Sequence, residues 1–135
     1  MDRKQSIRDG IYPLTLSWKV EDNVKVWLNP PYGQGKNSAK YWILKAIREY
    51  LTGNIQEVLL LVRGDSKAIS VLMKKCYWIE FDQRISFMNS EGFYGYGAVP
   101  GIRLFYLGAR NIEFYDHFNY LGTVCQKVER AQLIF

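Results

Sequence analysis

Val24-Lys25-Val26-Trp27-Leu28-Asn29-Pro30-Pro31-Tyr32-Gly33 is the stretch whose reading decides the fold. It runs an apolar strand directly into an Asn-Pro-Pro-Tyr turn. Each proline fixes φ at about −65° and donates no backbone N–H, so the strand must stop there. The Asn29 amide and the Tyr32 ring are then held stiffly at its carboxyl end. In open α/β sheets, that end is where ligands bind.

Working outward, Gly33 and Gly35 leave the following loop free to approach a ligand, and Asn37 or Ser38 can cap a helix. Ala39, Trp42, Ile43, Ala46, Ile47, Tyr50 and Leu51 recur at helical spacing, which leaves Lys40, Lys45, Arg48 and Glu49 for solvent. Gly53 ends that helix. Residues 58–62 are continuously apolar and read as a parallel strand buried on both faces. Strand, helix and strand in this order form a right-handed βαβ unit. A second crossover starts at Arg63-Gly64-Asp65-Ser66, where Asp65 or Ser66 can cap a short helix running to Lys75.

Residues 77–81 read as a third strand, and 84–88 and 102–107 as two more, separated by a loop too long for a tight hairpin. Phe114, Phe118 and Leu121 line a short helix that Gly122 stops, and 123–128 reads as a last edge strand. Upstream, residues 10–18 mix apolar side chains with Pro13 and read as an irregular or edge segment before the turn Glu21-Asp22-Asn23. The whole, residues 1–135, is expected to be a single α/β domain with a mostly parallel sheet and an antiparallel hairpin near its carboxyl terminus.

Composition narrows the function classes. A chain of 135 residues with 48% hydrophobic and 23% charged residues is globular rather than disordered. Its net charge of +5 permits a phosphate-bearing partner, because clustered Lys and Arg displace counterions from a nucleic-acid backbone, and it serves solubility equally well. No run of 18 apolar residues is present, so no membrane span is expected, and the polar start Met1-Asp2-Arg3-Lys4-Gln5-Ser6 is unlike a signal peptide. Cys76 and Cys125 lack metal-ligand spacing and are expected as free thiols in a reducing cytoplasm. His117, the sole histidine, has no nucleophile or ligand residue near it in sequence, so neither a metal site nor a Ser-His-Asp triad is expected. The Arg63-Gly64-Asp65 triplet is read as coincidence rather than as an adhesion signal.

A strand that ends in Asn-Pro-Pro-Tyr resembles the catalytic motif of S-adenosylmethionine-dependent amino-group methyltransferases. By average composition, the tetrapeptide arises by chance in roughly one chain of this length in a few thousand. Similarity extends to the phage-type DNA N6-adenine methyltransferase (Dam-like) family. Asp9-Gly10-Ile11 and Trp18 resemble its approach to the motif, and Arg63-Gly64-Asp65-Ser66 its Arg-Thr-Asp-Thr loop. Gln83-Arg84-Ile85-Ser86-Phe87 resembles its Gly-Arg-x-x-Phe segment, and Ala98-Val99-Pro100 with residues 102–107 its closing hairpin. The resemblance spans about residues 9–108 and implies a partial Rossmann-like methyltransferase fold, S-adenosylmethionine as cofactor, adenine in DNA as substrate, and a bacterial, phage or mobile-element origin.

The chemistry explains these residue types. The adenine amine is a poor nucleophile because its lone pair is delocalised into the ring. Two acceptors facing its two N–H groups, the Asn29 side-chain oxygen and the Pro30 carbonyl, draw that pair out; such positioned acceptors are typically worth about 2.7–4 kcal/mol of barrier. Pro31 stiffens the turn, and Tyr32 offers an aromatic face for a base flipped out of its stack. Asn29 and Gly33 are the residues nearest to where a cofactor would sit. Lys36, Arg63, Lys67 and Arg84 are candidate phosphate contacts, and Tyr94 and Tyr96 candidate base contacts from a glycine-rich loop.

The cofactor side departs from the family pattern. No Phe-x-Gly-x-Gly turn follows an early strand, and Gly92 to Gly97 lies between late strands and opens no helix. The chain therefore resembles the carboxyl half of such an enzyme. The strand at 24–28 is expected to need cover from residues 11–18, from a second copy in a homodimer, or from a separate cofactor-binding subunit. Two function classes follow: an N6-adenine DNA methyltransferase or part of one, and a catalytically inactive relative that binds nucleic acid. The motif also serves N4-cytosine, RNA-adenine and protein-glutamine methyltransferases, which the extended similarity disfavours.

Overall fold

A computed structural model describes residues 14, 16–30, 39–64, 67–86 and 101–133, with the side chains of 131 and 132 left aside. The elements, in order, are β1 (Lys25–Leu28), α1 (Ala39–Leu51), β2 (Glu57–Arg63), α2 (Lys67–Lys75), β3 (Tyr77–Phe81), β4 (Ile102–Leu107), α3 (Asn111–Phe118) and β5 (Gly122–Cys125). A 3-10 turn at Asn119–Leu121 joins α3 to β5, and another closes the described chain at Arg130–Leu133.

The five strands form one sheet in the order β1-β2-β4-β3-β5. β1 and β2 pair in parallel, whereas β2 with β4, β4 with β3, and β3 with β5 pair antiparallel. The expected mostly parallel sheet is thus corrected: one ladder is parallel and three are antiparallel. The cause is the insertion of β4 between β2 and β3. β1, β2 and β3 all run in one direction, as two successive strand-helix-strand crossovers require, but a reversed strand separates β2 from β3 and turns what would be a parallel contact into two antiparallel ones. The expected strand at 84–88 is also corrected: Ile85 makes only an isolated bridge, and Phe87 and Met88 lie outside the described residues. The antiparallel hairpin near the carboxyl terminus is formed by β3 and β4 instead.

Helices cover both sheet faces. α1 and α2 bury Trp42, Ile43, Ala46, Ile47, Ala68, Ile69 and Leu72 against Val26, Leu28, Val58, Leu60, Val62 and Phe105. On the opposite face, α3 lays Phe114 and Phe118 over Tyr106, Leu104, Ile79 and Leu61. Each fully buried Ile, Leu or Phe contributes about 1.5–3 kcal/mol relative to exposure, so these two faces dominate the stability. Gly53, at φ +81°, ends α1: its N–H bonds to the Tyr50 carbonyl at 3.1 Å and the Asn54 N–H to that of Glu49 at 3.0 Å. A left-handed residue satisfies the last helical carbonyls in this way, and glycine adopts it without a Cβ clash.

Sequence periodicity located α1, but two of its charged residues are not in solvent. Lys45 and Glu49 are buried, at 9% and 3% exposure. Trp18, itself buried, lies over them, with the Lys45 ammonium 5.9 Å from its ring centroid. Lys45 Nζ bonds Glu49 Oε1 at 2.5 Å, while Glu49 Oε2 accepts from the Trp18 backbone N–H at 3.2 Å and the Asn54 amide at 2.8 Å. Burial pushes the Glu49 carboxyl up, but these donors together outweigh it and hold the group below its usual range. The segment entering β1 is pinned to α1 by this cluster.

Candidate functional site

The carboxyl ends of β1, β2 and β3 lie along one edge of the sheet. β1 alternates outward and inward, with Lys25 and Trp27 exposed and Val26 and Leu28 buried. The alternation continues past the last paired residue: Asn29 is exposed and Pro30 fully buried. Burial of the Pro30 ring, added to its fixed φ, locks the backbone that carries the Asn29 side chain and the Pro30 carbonyl. Of the expected catalytic set, Asn29 and Pro30 are therefore placed at the end of a strand; Pro31 and Tyr32 lie outside the described residues, as do Gly33, Lys36, Tyr94, Tyr96 and the capping candidates Asn37, Ser38, Asp65 and Ser66.

Leu28 is level with Leu60, so Asn29 stands beside Leu61, and Arg63 follows two residues further along the neighbouring strand. Arg63 is exposed at the end of β2, next to Gly64, whose N–H bonds to the Gly101 carbonyl at 3.0 Å. Gly64 and Gly101 have φ of +86° and +72°, which only glycine adopts cheaply, and they make the corner between β2 and β4. Lys67 opens α2 at the same edge and is exposed. Arg84, also exposed, follows the end of β3. With β4 inserted, β3 stands three strand spacings from β1, about 14 Å at 4.7–4.9 Å per spacing. Asn29, Pro30 and Arg63 are thus brought together; Arg84 shares their edge at a distance.

The opposite edge holds a second cluster that sequence reasoning missed. Glu57, at the start of β2, accepts from Arg110 at 2.8 and 3.0 Å and from the Tyr106 hydroxyl at 2.6 Å, with Lys25 3.6 Å away. The Arg110 guanidinium holds the Glu57 carboxyl below its usual range. Burial and the Glu57 carboxylate raise the Tyr106 hydroxyl. The cluster borders a groove of about 170 Å³ that also includes Leu59, Phe114 and His117. These residues come from separate segments, and no spacing in the sequence joins them. Their donors and acceptors satisfy one another, so the network fixes β1, β2, β4 and the start of α3 rather than presenting a reactive group.

Among the described residues, no group of three or more His, Cys, Asp or Glu side chains is placed to hold a metal, and no helix is long and apolar enough to cross a membrane. β1 pairs with β2 alone among them. Hence no described strand outside β1 brings a carboxylate toward the ribose hydroxyls of a nucleoside cofactor, and the described residues do not by themselves fit S-adenosylmethionine. No family model, curated protein or solved structure matches the chain.

Proposed function

We propose that this chain carries the target-amine side of a DNA N6-adenine methyltransferase. The supporting observation is the position of Asn29 and Pro30: an exposed amide followed by a buried, φ-locked proline, immediately past a strand that pairs in parallel with β2. In this reading the Asn29 side-chain oxygen and the Pro30 carbonyl each accept one N–H of an extrahelical adenine amine, and Tyr32 stacks on its ring. S-adenosylmethionine is the methyl donor, held by residues beyond those described or by a partner chain on the outer side of β1, such as a second copy or a cofactor-binding subunit.

The test is methyl transfer from labelled S-adenosylmethionine to a single-adenine oligonucleotide by the full chain, alongside calorimetric titration of the cofactor. Asn29→Ala should lower transfer by about 10²–10³-fold, the usual effect of removing one positioned polar group, with cofactor affinity unchanged. Full activity in Asn29→Ala would overturn the assignment. The unpaired outer side of β1 among the described residues favours one other reading, a nucleic-acid-binding relative without transfer activity. Oligonucleotide binding with no cofactor binding up to millimolar concentration would select it.

A further inference from the structure

A groove of about 430 Å³ opens past the end of β3, between residues 81–86 and the 3-10 turn before β5. That volume lies within the range of small-ligand sites. Its frame is stiff. The Asp82 N–H bonds to the Leu121 carbonyl at 3.1 Å, and Phe81 is level with Gly122 in the β3–β5 ladder. A Cβ on Gly122 would collide with the Glu80 carbonyl oxygen, so the turn is seated directly on the strand. On this frame Tyr120 forms one wall with its side chain 76% exposed. Arg84 contributes an exposed guanidinium to the same groove, and Asp82, Gln83 and Ser86 add hydrogen-bonding side chains.

An open aromatic face, a cation and short polar side chains in one groove match the three parts of a nucleotide: a base face, a phosphate and base edges. We propose that this groove holds one unstacked nucleotide of single-stranded DNA flanking the target adenine. The Tyr120 ring stacks on the base, and Arg84 contacts its phosphate. Asp82 disfavours a bare phosphate there but can accept from an exocyclic amine, so the site selects a base together with its phosphate. The proposal rests on reading Asn29 to Tyr32 as the target-base side. The span of about 14 Å from β1 to β3 corresponds to about four stacked nucleotides at 3.4 Å each, and to fewer when the strand is extended.

The test measures fluorescence anisotropy of a labelled single-stranded twelve-nucleotide DNA with the full chain, without methyl donor, over a salt series. Tyr120→Ala should weaken binding by about 5- to 150-fold, the range for one base on one ring, and Tyr120→Phe should restore it. Arg84→Ala should reduce the slope of log affinity against log salt by about 0.7, the value for one single-strand phosphate. Since Tyr120 is exposed, its loss leaves the fold intact, and circular dichroism checks this. No binding by the wild type, wild-type affinity in Tyr120→Ala, or an unchanged salt slope in Arg84→Ala would overturn the proposal. Because no donor is present, loss of methyl transfer with retained Tyr120-dependent binding counts against the proposed activity and not against the groove.

Discussion

Replacing Glu49 with Gln should destabilise the chain more than its place on a charged helix face suggests. The change keeps shape and one acceptor but removes the charge opposite Lys45, which is only 9% exposed. Breaking a buried pair by neutralising one partner costs about 3–5 kcal/mol, because the other charge remains desolvated. Domains of this size melt roughly 3–5 °C lower for each kcal/mol lost, so the expected shift in Tm is about 9–25 °C by circular dichroism. The double replacement Lys45→Met with Glu49→Leu should recover much of that loss, since an apolar pair leaves no uncompensated charge. The pH dependence has a definite sign. Glu49 is held below its usual range in the folded chain, so its contribution is present above the unfolded carboxyl pKa of about 4.3 and is lost as pH falls through the lower folded value. Wild type and Glu49→Gln should therefore differ most near neutral pH and converge in acid. A Tm shift under about 3 °C at pH 7, or a double variant no better than the single one, would refute the reasoning.

Two further outcomes follow from exposure. Trp27 stands 58% exposed on β1, an edge strand among the described residues, and apolar edges invite pairing between chains. Trp27→Lys should leave Tm within about 2 °C and reduce self-association in sedimentation velocity; a wild type that is already a dispersed monomer would count against this. The Cys76 thiol is buried and pushed up to about 12, whereas Cys125 is half-buried. A disulfide-exchange reagent at pH 8 should titrate Cys125 in the native chain and Cys76 only after denaturation, and rapid reaction of both would contradict the burial.

How much of this was legible depends on how local the determining interaction is. The bounds of α1 follow from apolar spacing plus Gly53, both within the segment itself. The apolar run of β2 likewise announced a strand covered on both faces. The solvent placement of Lys45 and Glu49 failed because Trp18, 31 residues before Glu49, supplies the cover. Helical periodicity carries no information about such a partner. Strand direction was illegible for a related reason: Ile-Arg-Leu-Phe-Tyr-Leu reads the same for a parallel and an antiparallel neighbour, and only the docking of β4 between β2 and β3 decides. Asn29 and Pro30 were legible as a corner because proline acts on its own backbone. The Tyr120 groove was not, since its walls meet only through the β3–β5 ladder.

The polarity of the sheet supports placing nucleic-acid contacts on the Asn29 edge rather than the Glu57 edge. Crossovers from β1 to β2 and from β2 to β3 point the amino termini of α1 and α2 toward the carboxyl ends of the strands. Those helix ends carry partial positive charge, and among the described residues the first turns of α1 and α2 contain no acidic side chain. Arg63, Lys67 and Arg84 stand at the same edge. The insertion of β4 adds to this, since the chain leaves the described fold after Ser86 and re-enters at Gly101, both on that edge. At the other edge the basic residues closing the helices, Arg48, Lys74 and Lys75, face the negative helix ends, and Arg110 is engaged by Glu57. Cations there are matched by helix dipoles or a carboxylate, whereas α1 and α2 direct the partial positive charge of their amino termini to the edge where Asn29 stands, which supports the proposal of phosphate contacts at that edge.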